Sequence, residues 1–169
     1  MQIRQLRPSD ASAAQELLKQ LGYDADTNDL THRIEHVLVT ENHFGAVAED
    51  QGKVIGLVHV YKRPALEKPC EAVVQSLIVD TRLRNMGIGR ALMDAAEAWA
   101  RKIGLTHVVL STRIDREDAR TFYERLGYER VATSKSTEPD ANNQVGCHPP
   151  NAKQVDYRYT NVPTTWCPK

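Results

Sequence analysis

A chain of 169 residues, 41% hydrophobic and 26% charged, suits one domain with a real core. Lys plus Arg balance Asp plus Glu, 22 against 22, so composition offers no argument for a nucleic-acid or anionic-membrane partner. The longest apolar run is far short of a membrane span and the N-terminus lacks a secretion signal, so the cytoplasm is the expected compartment.

The predicted elements follow in chain order. Ile3 to Leu6 reads as a short strand. Ser9-Asp10 caps a helix with Ala14, Leu17, Leu18 and Leu21 on one face, and Gly22 stops it. Leu30, Ile34, Val37 and Leu38 mark a second helix beginning near Asn28-Asp29. Phe44 to Glu49 and Val54 to Tyr61 form a hairpin across Asp50-Gln51-Gly52-Lys53. Glu71 to Val79 is the next strand, followed by a helix carrying Ile88, Leu92, Ala96 and Trp99 and closed by Gly104. Thr106 to Thr112 is a strand, a helix starts at Asp115, and Tyr128 to Thr133 is another strand. Hairpins and β-α-β crossovers together predict a mixed α/β fold, with a sheet that is not purely parallel.

From Ser134 the chain turns polar and rich in Pro, Asn, Thr and Ser. The reading is therefore a domain over 1–134 and a polar tail over 135–169. Val155 to Val162 alternates weakly and reads as a last strand after a long loop. The alternatives are a tail that packs on a partner or an unrelated appended segment. An unpaired last strand would leave a sheet edge open, so it is expected to pair with the domain's own sheet or with a second copy in a homodimer. Composition predicts a mobile loop between about Ser136 and Asn151. Cys70, Cys147 and Cys167 are odd in number and widely spaced, with no His cluster beside them. Neither a disulfide framework nor a metal site is expected.

The most informative stretch is Arg84-Asn85-Met86-Gly87-Ile88-Gly89-Arg90-Ala91, between a β-branched strand and an amphipathic helix. Strand, glycine-rich turn and helix present backbone N–H groups to a phosphate. The glycines remove Cβ atoms where a ligand approaches, and Arg84 and Arg90 add charge at the rim. A Walker loop would need Lys-Ser/Thr, which is absent, and a dinucleotide loop would need Gly where Leu92 stands. What remains is Arg-x-x-Gly-x-Gly. A second segment, Asp115 to Tyr128, sets Ala119, Phe122, Tyr123 and Leu126 on one helical stripe and ends at Gly127.

Both segments resemble signatures of the GNAT superfamily of N-acetyltransferases, in the acetyl-CoA pyrophosphate loop and in the Ala119, Tyr123, Gly127, Tyr128 pattern. The resemblance covers roughly residues 1–134. Many members carry Asn three residues before the Ala; this chain has Arg116, so a contact through that Asn does not transfer. The resemblance implies a central mixed, mostly antiparallel sheet of six to seven strands flanked by four helices. It implies acetyl-CoA as co-substrate, with no metal, and direct transfer to a primary amine on a small molecule, protein or peptide. The 84–91 loop would hold the pyrophosphate, and the backbone of Leu77, Ile78 and Val79 the pantetheine arm. Tyr123 would protonate the leaving thiolate. Glu71, at the head of the strand beside the cofactor, is the first candidate base, with Glu49, His59 and His43 as others and a water chain as a further alternative. Asp24, Asp26, Asp29 and Glu35 give an acidic rim suited to a cationic acceptor. The same loop would also serve a non-catalytic acyl-CoA sensor, and the odd tail suggests an interaction module; release of CoA with a panel of amines separates these from an enzyme.

Overall fold

Residues Gln51 and Gly52, with φ of 49° and 76°, give the backbone two consecutive left-handed positions. Such a two-residue turn matches the twist of an antiparallel hairpin. In the computed structural model, which describes residues 1–135 and 153–160, that turn joins β2 (His43–Asp50) to β3 (Lys53–Arg63). β1 (Gln2–Gln5) pairs along β2 and β4 (Glu71–Val79) along β3, both antiparallel. The chain divides into two compact units, Met1–Leu105 and Thr106–Lys169. In the first, α1 (Ala11–Lys19) and α2 (Thr27–Val39) bury Leu17, Leu30 and Ile34 with Val47, Leu57 and Ile78 of the strands. α3 (Ile88–Lys102) also packs on this sheet, with Trp99 stacked on Phe44 at 5.8 Å between ring centroids. Leu92 and Met93 of α3 are fully buried. Each such side chain contributes roughly 1.5–3 kcal/mol of transfer free energy.

The helix starts depart from the sequence reading. α2 is capped by Asp26, not by Asn28-Asp29: its carboxylate accepts from the Asn28 and Asp29 N–H groups at 2.9 and 3.2 Å. Asp10 precedes α1 but makes no side-chain cap. Its carboxylate is taken by Arg4 through two hydrogen bonds of 2.8 Å and by the Arg7 N–H at 2.8 Å, with Arg4 also reaching Glu49 at 2.6 Å. Charge-assisted bonds to a guanidinium outcompete a capping bond to a neutral amide.

Two irregularities shape the sheet. Ala48 faces Gly56 and Glu49 faces Val54, which leaves Ile55 as an extra residue on β3; its carbonyl accepts from the Asp80 N–H at 2.9 Å. His59 faces Ser76 and Val60 faces Val74, which leaves Gln75 as an extra residue on β4. Both are β-bulges, which bend the strand and redirect side chains.

The second unit contains β5 (His107–Arg113), α4 (Glu117–Arg125), β6 (Glu129–Lys135) and β7 (Lys153–Thr160). β7 lies between β5 and β6 and pairs antiparallel with both. The weakly alternating patch is therefore an integral strand of its own chain, two residues earlier than expected at its start. β6 runs through the compositional boundary at 134/135. The expected loop over 136–151 and the patch residues beyond Thr160 lie outside the described residues. In all, the described residues hold seven strands and four α-helices, with antiparallel pairing inside each unit. Among them no helix is long and apolar enough to cross a membrane, and no group of three His, Cys, Asp or Glu side chains is placed to hold a metal ion.

Candidate active site

The loop after β4 is built to leave a helix start open. Asp80 closes the strand with an Asx turn, its carboxylate accepting from the Arg82 N–H at 3.0 Å and from the Arg82 side chain at 2.6 and 3.0 Å. Those bonds hold its carboxyl down at about 2, so this acid stays ionised and paired beside the loop. A short 3-10 turn, Thr81–Leu83, follows. Asn85 then adopts φ 65° and Gly87 φ 80°. A β-branched residue at 87 would be strained there; glycine is not. Gly87 is the N-cap of α3 and provides no side-chain bond. The first backbone bond of α3 runs from the Ala91 N–H to the Gly87 carbonyl at 3.0 Å. The donors of the preceding turn, at Ile88, Gly89 and Arg90, come before that bond, as at any helix start, and no side chain caps them. α3 has no acidic residue in its first turn, and Arg90 is exposed at the same end. The arrangement concentrates partial positive charge on open backbone donors, the chemistry of an anion site.

Beneath the loop, α3 rests on the sheet without spacing. A Cβ on Gly56 would lie 2.9 Å from the Ile78 carbonyl and 3.1 and 3.3 Å from Leu92 and Ile88. Leu77, Ile78 and Val79 reach the loop directly through Asp80, and their register partners on β3 are Val58, Leu57 and Gly56. The structure thus places Leu77–Val79 and the 84–91 loop consecutively in one unit.

Glu71 is elsewhere. It lies at the other end of β4, about 26 Å from Val79 by strand rise. Its buried carboxylate receives Arg63 at 2.7 Å and Lys68 at 2.8 Å on the same oxygen. Burial alone would push this carboxyl up, but the two cations outweigh burial and hold it below its usual value. Glu71 pins the β3–β4 connection, with its Oε2 shared by both cations.

The sheet face toward α1 and α2 carries a feature that spacing did not reveal. Gly45 faces His59 and His43 faces Tyr61 in the hairpin register. The His43 Nδ1 and His59 Nε2 atoms are 3.1 Å apart, so one ring donates and the other accepts. The His43 ring stacks on His59 at 5.3 Å and on Tyr61 at 5.4 Å. Burial, then the neighbouring His43, push His59 down to about 4; burial and the charge of His36 lower His43. Both shifts favour the neutral rings.

In the second unit, Tyr123 belongs to the α4 stripe. Its ring is buried among Phe122, Tyr128 and Tyr157 at 5.2, 6.0 and 5.9 Å. Burial pushes its hydroxyl up to about 12. The helix starts at Glu117 with Arg116 as N-cap. Asp115, the expected cap, is drawn to Arg113, whose Nε is 3.0 Å from its carboxylate. Gly127 follows the helix as expected, and the Tyr128 N–H returns to the Tyr123 carbonyl at 3.0 Å.

Comparison with known proteins agrees with this geometry. Residues 7–128 match the Acetyltransferase (GNAT) family. The chain is 30% identical over 134 residues to an uncharacterised N-acetyltransferase, YhfO, of Bacillus subtilis, spanning 76% of this chain and 90% of that one. It is 26% identical over 133 residues to an aminoglycoside N(6')-acetyltransferase type 1 of Stenotrophomonas maltophilia, spanning 76% and 86%. Among solved structures, a ribosomal-protein-alanine N-acetyltransferase of Brucella melitensis shares the fold with a TM-score of 0.78 at 16% identity, over 95% of this chain and 100% of that one. Strand, open helix start and family match converge: the chain belongs to the GNAT acetyltransferase family and is an acyltransferase.

Proposed function

We propose that this enzyme moves an acetyl group from acetyl-CoA to a primary amine by direct attack in a ternary complex. The observation that carries the reading is the uncapped start of α3 behind a left-handed Gly87, directly after β4. In this reading the backbone of Met86 to Ala91 holds the pyrophosphate, with Arg84 and Arg90 at its rim. Leu77, Ile78 and Val79 hold the pantetheine arm through backbone groups. The amine nitrogen attacks the thioester carbonyl carbon, a C–N bond forms, the C–S bond breaks and CoA leaves as a thiolate. Holding the two reactants together is the larger part of such catalysis.

Tyr123 serves the departing sulfur. At about 12 its hydroxyl is a donor at every working pH. Complete transfer to a thiolate of pKa ~8.5 would run uphill by about 5 kcal/mol. Its contribution is therefore a hydrogen bond to the developing thiolate, with the final proton drawn from solvent. The relatives' acceptors, an aminoglycoside in one case and a protein alanine in another by their names, set the range to test. The acids Asp24, Asp26, Asp29 and Glu35 favour a cationic acceptor.

Isothermal calorimetry of Gly89→Val tests the cofactor loop: acetyl-CoA affinity falls about tenfold or more with the fold retained, and unchanged affinity sinks the reading. Tyr123→Phe is expected to lower turnover about 10²-fold with little change in acetyl-CoA affinity. Wild-type turnover in that variant would reduce Tyr123 to a packing residue.

A further inference from the structure

The acetyl-transfer reading leaves one chemical need unmet, because Glu71 is held by two cations. The amine nitrogen must lose a proton once it has attacked. Bonded to the carbonyl carbon, it is far more acidic than a free ammonium, so a weak base suffices. The sheet face supplies one. A pantetheine arm that starts at the 86–91 donors and follows Val79, Ile78 and Leu77 ends at Ser76 and the bulge at Gln75. The register partner of Ser76 is His59, one strand spacing of about 4.8 Å further in. His59 is in turn bonded to His43 at 3.1 Å.

We propose that His59 accepts the amine proton and that His43 passes a proton on to solvent. The inference rests on the acetyl-transfer reading of the same site. In the resting pair His59 donates its Nε2 proton to the Nδ1 of His43. The attacking nitrogen gives its proton to the Nδ1 of His59. The shared proton moves to His43 Nδ1, and His43 releases its Nε2 proton to water. Two N–H bonds form and two break on the rings; neither ring keeps a charge, and the tautomers reset by exchange with solvent. Neutral rings are required at both positions, and burial favours them. His43 acts through His59 and is a positioning and relay residue. Tyr61, stacked on His43, fixes its ring plane.

The test uses the full chain with acetyl-CoA and four amines: kanamycin, spermidine, alaninamide and Nα-acetyl-lysine amide. Calorimetry with acetyl-CoA is run on every variant. His59→Gln is expected to lower kcat about 10²-fold on each amine the wild type uses, with acetyl-CoA affinity unchanged. His43→Gln is expected to lose about tenfold, since water replaces the second ring. The wild-type solvent deuterium effect on kcat should shrink in both. Millimolar imidazole should restore part of the rate to His59→Ala. Wild-type kcat in His59→Gln, or a loss that imidazole leaves untouched and that does not change the deuterium effect, overturns the relay while acetyl transfer stands. A wild-type chain that binds no acetyl-CoA or acetylates none of the four amines overturns the reading beneath it and the relay with it.

Discussion

Two helices of the first unit begin in opposite ways. α2 starts at Asp26, whose extended backbone and carboxylate satisfy the N–H groups of Asn28 and Asp29. α3 starts at Gly87, left-handed and without a side chain to offer. With glycine at the cap, forgoing that side-chain bond costs only about a few tenths of a kcal/mol. α3 is the longer helix and has the fully buried Leu92 and Met93 to absorb that cost. One helix start is closed by its own side chain, and the other leaves its donors open where the proposed cofactor would sit. The same backbone donors of a first helical turn become scaffold or open site according to whether a side chain occupies them.

Making α3 resemble α2 should have the largest effect. Gly87→Asp keeps a residue type that tolerates left-handed backbone and places a carboxylate beside the open donors. Acetyl-CoA affinity should fall about 10²-fold, close to 2.7 kcal/mol, while the melting temperature moves by only a few degrees. Retained affinity in calorimetry would erase the distinction between the two helix starts. The reciprocal change is smaller: Asp26→Ala should remove about 1 kcal/mol of stability and lower the melting temperature by about 2–4 °C. Its acetyl-CoA affinity should stay at the wild-type value; a loss there would mean the α2 start also serves the cofactor. Smallest is Arg90→Gln, which removes a full charge from the rim of the α3 start but none of its backbone donors. Affinity should weaken about threefold at low salt, and the difference from wild type should vanish near 1 M salt, where screening is short-ranged. A loss as large as that of Gly87→Asp would shift the recognition from backbone to side chain.

The parts legible in the sequence were those written in local spacing. Gly87 and Gly89 after a β-branched strand marked the loop, Gln51-Gly52 marked the hairpin turn, and the 3.6-residue stripes placed α1 to α4. The parts that escaped depend on which side chain wins a shared partner and on strand register, neither of which spacing encodes. Asp10 and Asp115 have the right identity for caps, yet Arg4 and Arg113 take their carboxylates. Glu71 sits at a plausible strand position for a base, but Arg63 and Lys68 converge on it only once the β3–β4 connection folds. His43 and His59 are sixteen residues apart and meet through hairpin register alone. Nothing in the order of elements signals that β7 threads between β5 and β6.

The extra residue at Gln75 has one more consequence. Ile78 shares the α1–α2 face with Leu57, and Glu71 faces Arg63 six residues further along β3. Positions 71 and 78 differ in parity, and an unbroken strand would turn them to opposite sides. The bulge resets the phase, so a core residue and a charged anchor emerge on one side. Removing residue 75 would leave the two positions six apart, still on one side, with Val74 opposite Val60 and Glu71 opposite Arg63 in a regular ladder. What the extra residue adds is the bend and local twist in the middle of β4. This strand can lose one residue there and keep its faces, and nowhere else so simply.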